Sequence, residues 1–158
     1  MRRLSMRTSI PCLALAIVLA GCGGSDSSAT GPNTAAPMTA TVDGQAWVGV
    51  APGVSYKNNI LAIVGIDIGS ATTIEVGSAS VTRAGTYSLA FSNLNAGTAI
   101  ISQAGKSWSS TVQGGTGSLV ITTLTANHVA ATFSFDAPPL TGGATGTKHV
   151  TGKIETNF

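Results

Sequence analysis

Charge is scarce in this sequence. Only 9% of its 158 residues are Asp, Glu, Lys or Arg, against roughly 25% in an ordinary soluble domain. Leu, Glu, Lys and Arg are too few for a helical bundle or a coiled coil. The formal net charge of +2 is an effect of the N-terminus, because Arg2, Arg3 and Arg7 all lie in the first seven residues. Without them, Lys57, Arg83, Lys106, Lys148 and Lys153 face Asp26, Asp43, Asp67, Glu75, Asp136 and Glu155. A chain this neutral has no basic stripe to hold phosphates, which excludes nucleic acid as a partner. Aromatics are 5% and the two cysteines are Cys12 and Cys22. In their place Ala, Gly, Ser and Thr fill about half of the chain. The mean hydropathy of +0.34 is nonetheless too high for a disordered chain.

The first segment reads as an address. A basic stretch, Met1 to Arg7, precedes an apolar run from Ile10 to Ala20 interrupted by Pro11. That run is about half the roughly 20 residues a membrane span needs, which is signal-peptide length. It ends Leu19-Ala20-Gly21-Cys22, which resembles the lipobox of bacterial lipoproteins. Small residues leave room at the cut, and the Cys22 thiol carries the diacylglycerol thioether. The expected organisation is a signal peptide over 1–21, lipidated Cys22 with a flexible tether over 22–37, and one domain over 38–158. Cys12 is discarded with the signal and Cys22 is consumed by lipid, so no disulfide, thiolate nucleophile or Cys-based metal site is expected. The partner so implied is a membrane, held through the Cys22 lipid. Gly23, not Asp, follows Cys22; by resemblance to enterobacterial lipoproteins this implies the outer membrane, on either face. The segment GGSDSSATGPNTAAP lacks periodicity and reads as a linker.

From Met38 onward, short alternating runs are punctuated by Gly and Asn, the pattern of half-buried antiparallel strands. Tyr87, Leu89 and Phe91 share one face. So do Val129, Ala131, Phe133 and Phe135, and so do Val150, Gly152, Ile154, Thr156 and Phe158. Ile60–Ile68 is apolar on both faces, which suits a central strand or one covered on both sides. Asp43-Gly44 is a two-residue turn signal, pairing Val42 with Gln45 and Ala40 with Trp47. A four-residue loop, Thr125–His128, pairs Leu124 with Val129, Thr122 with Ala131 and Val120 with Phe133. The expected fold is all-β: an antiparallel β-sandwich of about ten short strands, or alternatively a closed up-and-down barrel.

The segments ATVDGQAW, GTYSL, GTGSLVITTL, HVAATFSFDA and KHVTGKIETNF resemble a family of uncharacterised bacterial lipoproteins with a signal, a short linker and one small all-β domain. The resemblance covers most of residues 38–158. It implies location and fold, and no catalytic residues.

Several motifs mimic chemistry. Val64-Gly65-Ile66-Asp67-Ile68-Gly69-Ser70 looks like the first phosphate turn of the actin, Hsp70 and sugar-kinase superfamily. The chain is too short for that two-domain fold and lacks the second phosphate motif, so a hairpin turn at Gly69-Ser70-Ala71 is expected, with no nucleotide. The same segment resembles an aspartic-protease turn, whose chemistry needs a second carboxylate. His128 is expected in a loop and His149 on an outward face, without a metal. Trp47 and Tyr87 fall at core parities. Trp108 and Tyr56, beside Lys106 and Lys57, are the candidate surface aromatics for a glycan or an envelope protein. The expectation is a non-catalytic, cofactor-free binding or display module. The alternatives are a structural coat lipoprotein and an extracytoplasmic hydrolase centred on Asp67.

Overall fold

The computed structural model describes residues 37–93 and 97–158. The expected signal peptide, Cys22 and the tether up to residue 36 lie outside the described residues. Eleven strands are described: β1 (Met38–Val42), β2 (Gln45–Lys57), β3 (Ile60–Asp67), β4 (Thr72–Ser78), β5 (Gly85–Ser88), β6 (Gly97–Gln103), β7 (Lys106–Ser109), β8 (Thr116–Leu124), β9 (His128–Ala137), β10 (Pro139–Thr141) and β11 (Lys148–Asn157). The helical content among the described residues is one 3-10 turn, Phe91–Asn93.

The all-β antiparallel expectation holds. The strands form one sheet in the order β10-β7-β6-β4-β3-β2-β1-β11-β9-β8-β5, curled into a half-barrel. The curl turns on β2. Its first half pairs with β1 and its second with β3, and the register slips between Val50 and Gly53. A slip of one residue reverses which side chains point inward: Trp47 faces the core before it, Val54 and Tyr56 after it. The sheet's two end strands are four and three residues long, and β10 opens on Pro139. Short edges and a proline limit edge-to-edge pairing.

The concave side holds the core, with Leu61, Ile63, Ile74, Val76 and Ile101 from one half and Leu119, Ile121, Phe133, Phe135, Val150 and Ile154 from the other. The Asp43-Gly44 hairpin has the expected register, with Val42 opposite Gln45 and Ala40 opposite Trp47. Both turn residues adopt positive φ, as a two-residue hairpin requires. The Trp47 indole lies across two glycines of neighbouring strands. A Cβ on Gly49 or Gly65 would come within 2.4 or 2.7 Å of its ring.

Two expectations are corrected. In the β8–β9 hairpin Leu124 does face Val129, but a bulge follows: Thr123 pairs with Ala130, Ile121 with Ala131, Val120 with Thr132 and Leu119 with Phe133. Thr122 is the extra residue, and its hydroxyl donates to the Ala130 carbonyl at 3.0 Å. The cause is the apolar spacing. Ile121 and Leu124 are three apart, so both can face inward only if one residue is looped out. Second, Phe91 does not share the face of Tyr87 and Leu89. The strand ends at Ser88 and Phe91 is exposed in the 3-10 turn. The apolar run of β3 makes it a central strand, the first of its two expected readings, and its outer face is left uncovered. Ile60 and Ile66 are 56% and 48% exposed there, and Ile68, in the turn just beyond the strand, is 77% exposed.

Candidate functional site

A set of polar groups from different strands meets at one end of the sheet. Asp67 pairs with Thr72 and Thr72 with Gln103, which in turn pairs with Lys106. This ladder brings the β3–β4 turn and the β6–β7 turn level with each other. The β1–β2 turn joins them, and the segment 142–147 leads into Lys148 at the start of β11. A groove of about 210 Å³ lies among these turns, lined by Asp43, Gln45, Trp47, Asp67, Gln103 and Lys148 with their neighbours.

Asp43 and Lys148 organise this end. The Lys148 ammonium sits 2.6 Å from Asp43 Oδ2, while Asp43 Oδ1 accepts the His149 N–H at 2.9 Å. Partial burial pushes the Asp43 carboxyl up, but the His149 N–H and the Lys148 charge outweigh it and hold the pKa below the ordinary value. The same ammonium lies 5.3 Å from the centre of the Trp108 ring, within cation–π range. Lys148 therefore ties the first hairpin to the last strand and to β7.

Asp67 closes its own turn. The Ser70 hydroxyl donates to Oδ2 at 2.5 Å and the Gly69 N–H to Oδ1 at 2.9 Å. The Ser70 hydroxyl is the main influence keeping its pKa below the ordinary value, with desolvation opposing and the Gly69 and Ser70 amides assisting. Two carboxylates sharing a proton push one pKa up. Asp67 and Asp43 are both pushed down, and each has its own partners. The turn itself is the expected hairpin, with β3 ending at Asp67 and β4 beginning at Thr72.

The candidate aromatics are not both at the surface. Trp108 is corrected to a buried residue, 5% exposed. Its indole N–H donates to the carbonyls of Gly146 at 3.0 Å and Thr145 at 3.3 Å. Tyr56 is half-buried against the core, and its hydroxyl donates to the Val81 carbonyl at 2.8 Å. The two are also far apart. Tyr56 is level with Gly97 of β6, whereas Trp108 is level with Ile101, on the far side of that strand. Trp47 is buried as its parity implies, and Tyr87 is half-buried with its hydroxyl on the Arg83 carbonyl.

The two histidines lie at opposite ends of the β9–β11 pair, His128 on β9 and His149 on β11. His128 is corrected from loop to the first residue of β9, and its Nδ1 is 2.9 Å from Asn157 Oδ1. His149 points outward as expected, with Nδ1 2.6 Å from Asp136 Oδ1. Among the described residues no three His, Cys, Asp or Glu side chains converge on a metal position.

Sequence reasoning missed Lys148, Gln45 and Gln103. The one available signal was the Asp-Gly turn, whose carboxylate faces the last strand. Nothing local connects it to a lysine more than a hundred residues away. The chain matches no family model, no curated protein and no solved structure.

Proposed function

We propose that this chain is a bacterial envelope lipoprotein, held in the outer membrane by lipid on Cys22, whose β domain is a non-catalytic binding module. This reading groups it with the uncharacterised lipoproteins that its hairpin motifs resemble. The lipobox Leu19–Cys22 supports the anchor. The observation that carries the binding role is the groove at the turn end, built from residues of β1, β2, β3, β4, β6 and β11 and their turns. Its chemistry suits an uncharged, hydroxyl-rich ligand such as a glycan. Among the described residues the Gln45 and Gln103 amides have no side-chain hydrogen bonds, and each offers both donors and an acceptor. The chain enters the domain at Met38, the end of β1 opposite the groove, so anchoring and binding occupy different ends.

The test is an array of glycans and purified envelope proteins, probed with the lipidated chain in detergent. A glycan hit weakened about tenfold or more by Gln103→Ala, the scale of one well-placed hydrogen bond, is the expected result. An array with no hit, or a hit indifferent to both Gln45→Ala and Gln103→Ala, refutes the groove and favours a structural coat protein.

A further inference from the structure

The outer surface of the sheet is of two kinds. On β9 and β11 its outward residues include Thr132, Ser134 and Thr151, the wettable side chains that a solvated face requires. On β2, on β3 and in the turn just after β3 they include Val48, Val50, Ile60, Ile66 and Ile68, between 47% and 77% exposed, with Ser55 and Lys57 the polar residues among them. Val50 is the cross-strand partner of Ile66; Val48 continues the stripe along β2, and Ile68 carries it into the turn after β3. Six steps of β-strand separate Ile60 from Ile66, about 20 Å, and Ile68 extends the stripe into the turn. A soluble sheet places polar groups at such positions, and a contiguous apolar stripe marks a contact surface.

We infer that this face of β2 and β3 rests on the surface of the bilayer that holds the Cys22 lipid; the inference rests on the anchor reading above. Two observations select a bilayer as the occupant. The tether between Cys22 and Met38 is short, about fifteen residues, and spans at most about 50 Å when fully extended. A membrane is thus always within reach, at high effective concentration. The tether also joins beside the stripe: Met38 pairs with Gly49, which sits between Val48 and Val50. Lys57, the cross-strand partner of Ile60, stands at one end of the stripe, where an ammonium meets lipid phosphate. Glu75, paired with Val64, marks the limit of the face at β4. In this pose the strands lie along the bilayer.

The test uses the full lipidated chain in vesicles of phosphatidylethanolamine and phosphatidylglycerol. Lipid consumes the Cys22 thiol and Cys12 leaves with the signal peptide, so one introduced cysteine can carry a nitrobenzoxadiazole probe. Ile68→Cys and Ser134→Cys place it on the apolar face and on the hydroxyl face, both at exposed sites. Spin-labelled lipid is expected to quench the Ile68→Cys probe at least about threefold more than the Ser134→Cys probe, as interfacial burial of one face requires. Adding Val50→Ser and Ile66→Ser should abolish that difference while the chain still floats with the vesicles. Equal quenching at both sites in a chain that floats overturns the inference and leaves the anchor standing. The same result with a concentration-dependent dimer in sedimentation assigns the stripe to a second copy instead. A chain that does not float overturns the anchor reading and this inference with it.

Discussion

Truncating Phe133 tests the core and the register together. Phe133 is 3% exposed. It sits opposite Leu119 on β8 and Gly152 on β11, with the Phe135 ring stacked at 6.3 Å between centroids. Its ring fills the space over Gly152: a Cβ built there would lie 2.3 Å from Phe133 Cζ. Phe133→Ala therefore leaves a cavity that the residue at 152 has no side chain to fill. The cost should fall in the upper part of the roughly 3–5 kcal/mol typical of such changes, out of about 5–15 kcal/mol available to a domain. Thr132 faces outward, and Thr132→Ser should cost less than about 1 kcal/mol. The bulge at Thr122 makes a sharper demand. Leu119 is fully buried and Val120 half-buried, so Leu119→Ala should cost about 2–5 kcal/mol and Val120→Ala clearly less. Urea unfolding followed by circular dichroism gives all four values. If Val120→Ala proves costlier than Leu119→Ala, β8 and β9 pair without the bulge and the register described above is wrong.

Replacing Cys22 by Ser should abolish metabolic labelling with palmitate, since a hydroxyl does not take the thioether-linked lipid; a labelled Cys22→Ser chain would refute the lipobox. The Asp43 carboxyl has a folded-state pKa below its ordinary value of 3.8, so its stabilising effect is complete above that value and is lost as pH falls through the folded one. The urea midpoint of the native chain should exceed that of Asp43→Asn by a constant amount near neutrality, and the gap should close as the pH drops below 3.8. A gap that widens with acid would mean that Lys148 and the His149 amide do not hold this carboxylate.

What could be read without the structure is what short-range physics decides. Side chains alternate across a strand, so the inward faces of β9 and β11 follow from parity, and Phe133, Phe135, Val150 and Ile154 are where parity puts them. The Asp43-Gly44 turn sets its own register, because two residues with positive φ close a hairpin in one way. The bulge at Thr122 was legible in principle, in the three-residue step from Ile121 to Leu124. It is favoured only because both residues have a core to face, and that core is built by other strands. Tertiary structure alone decided the rest. Trp108, flanked by Lys106 and polar residues, reads as a surface aromatic; it is buried because the segment 142–147 and Lys148 close over it. Ile60–Ile68 reads as a central strand or one covered on both sides; the way the sheet curls decides for the first, closing only the concave face of that apolar run and leaving its other face outside. The turn-end groove depends on β1 pairing with β11, which brings Asp43 to a lysine 105 residues away. Local patterning determines which residues of a strand face inward. Which strands become neighbours depends on how the whole sheet closes around one core.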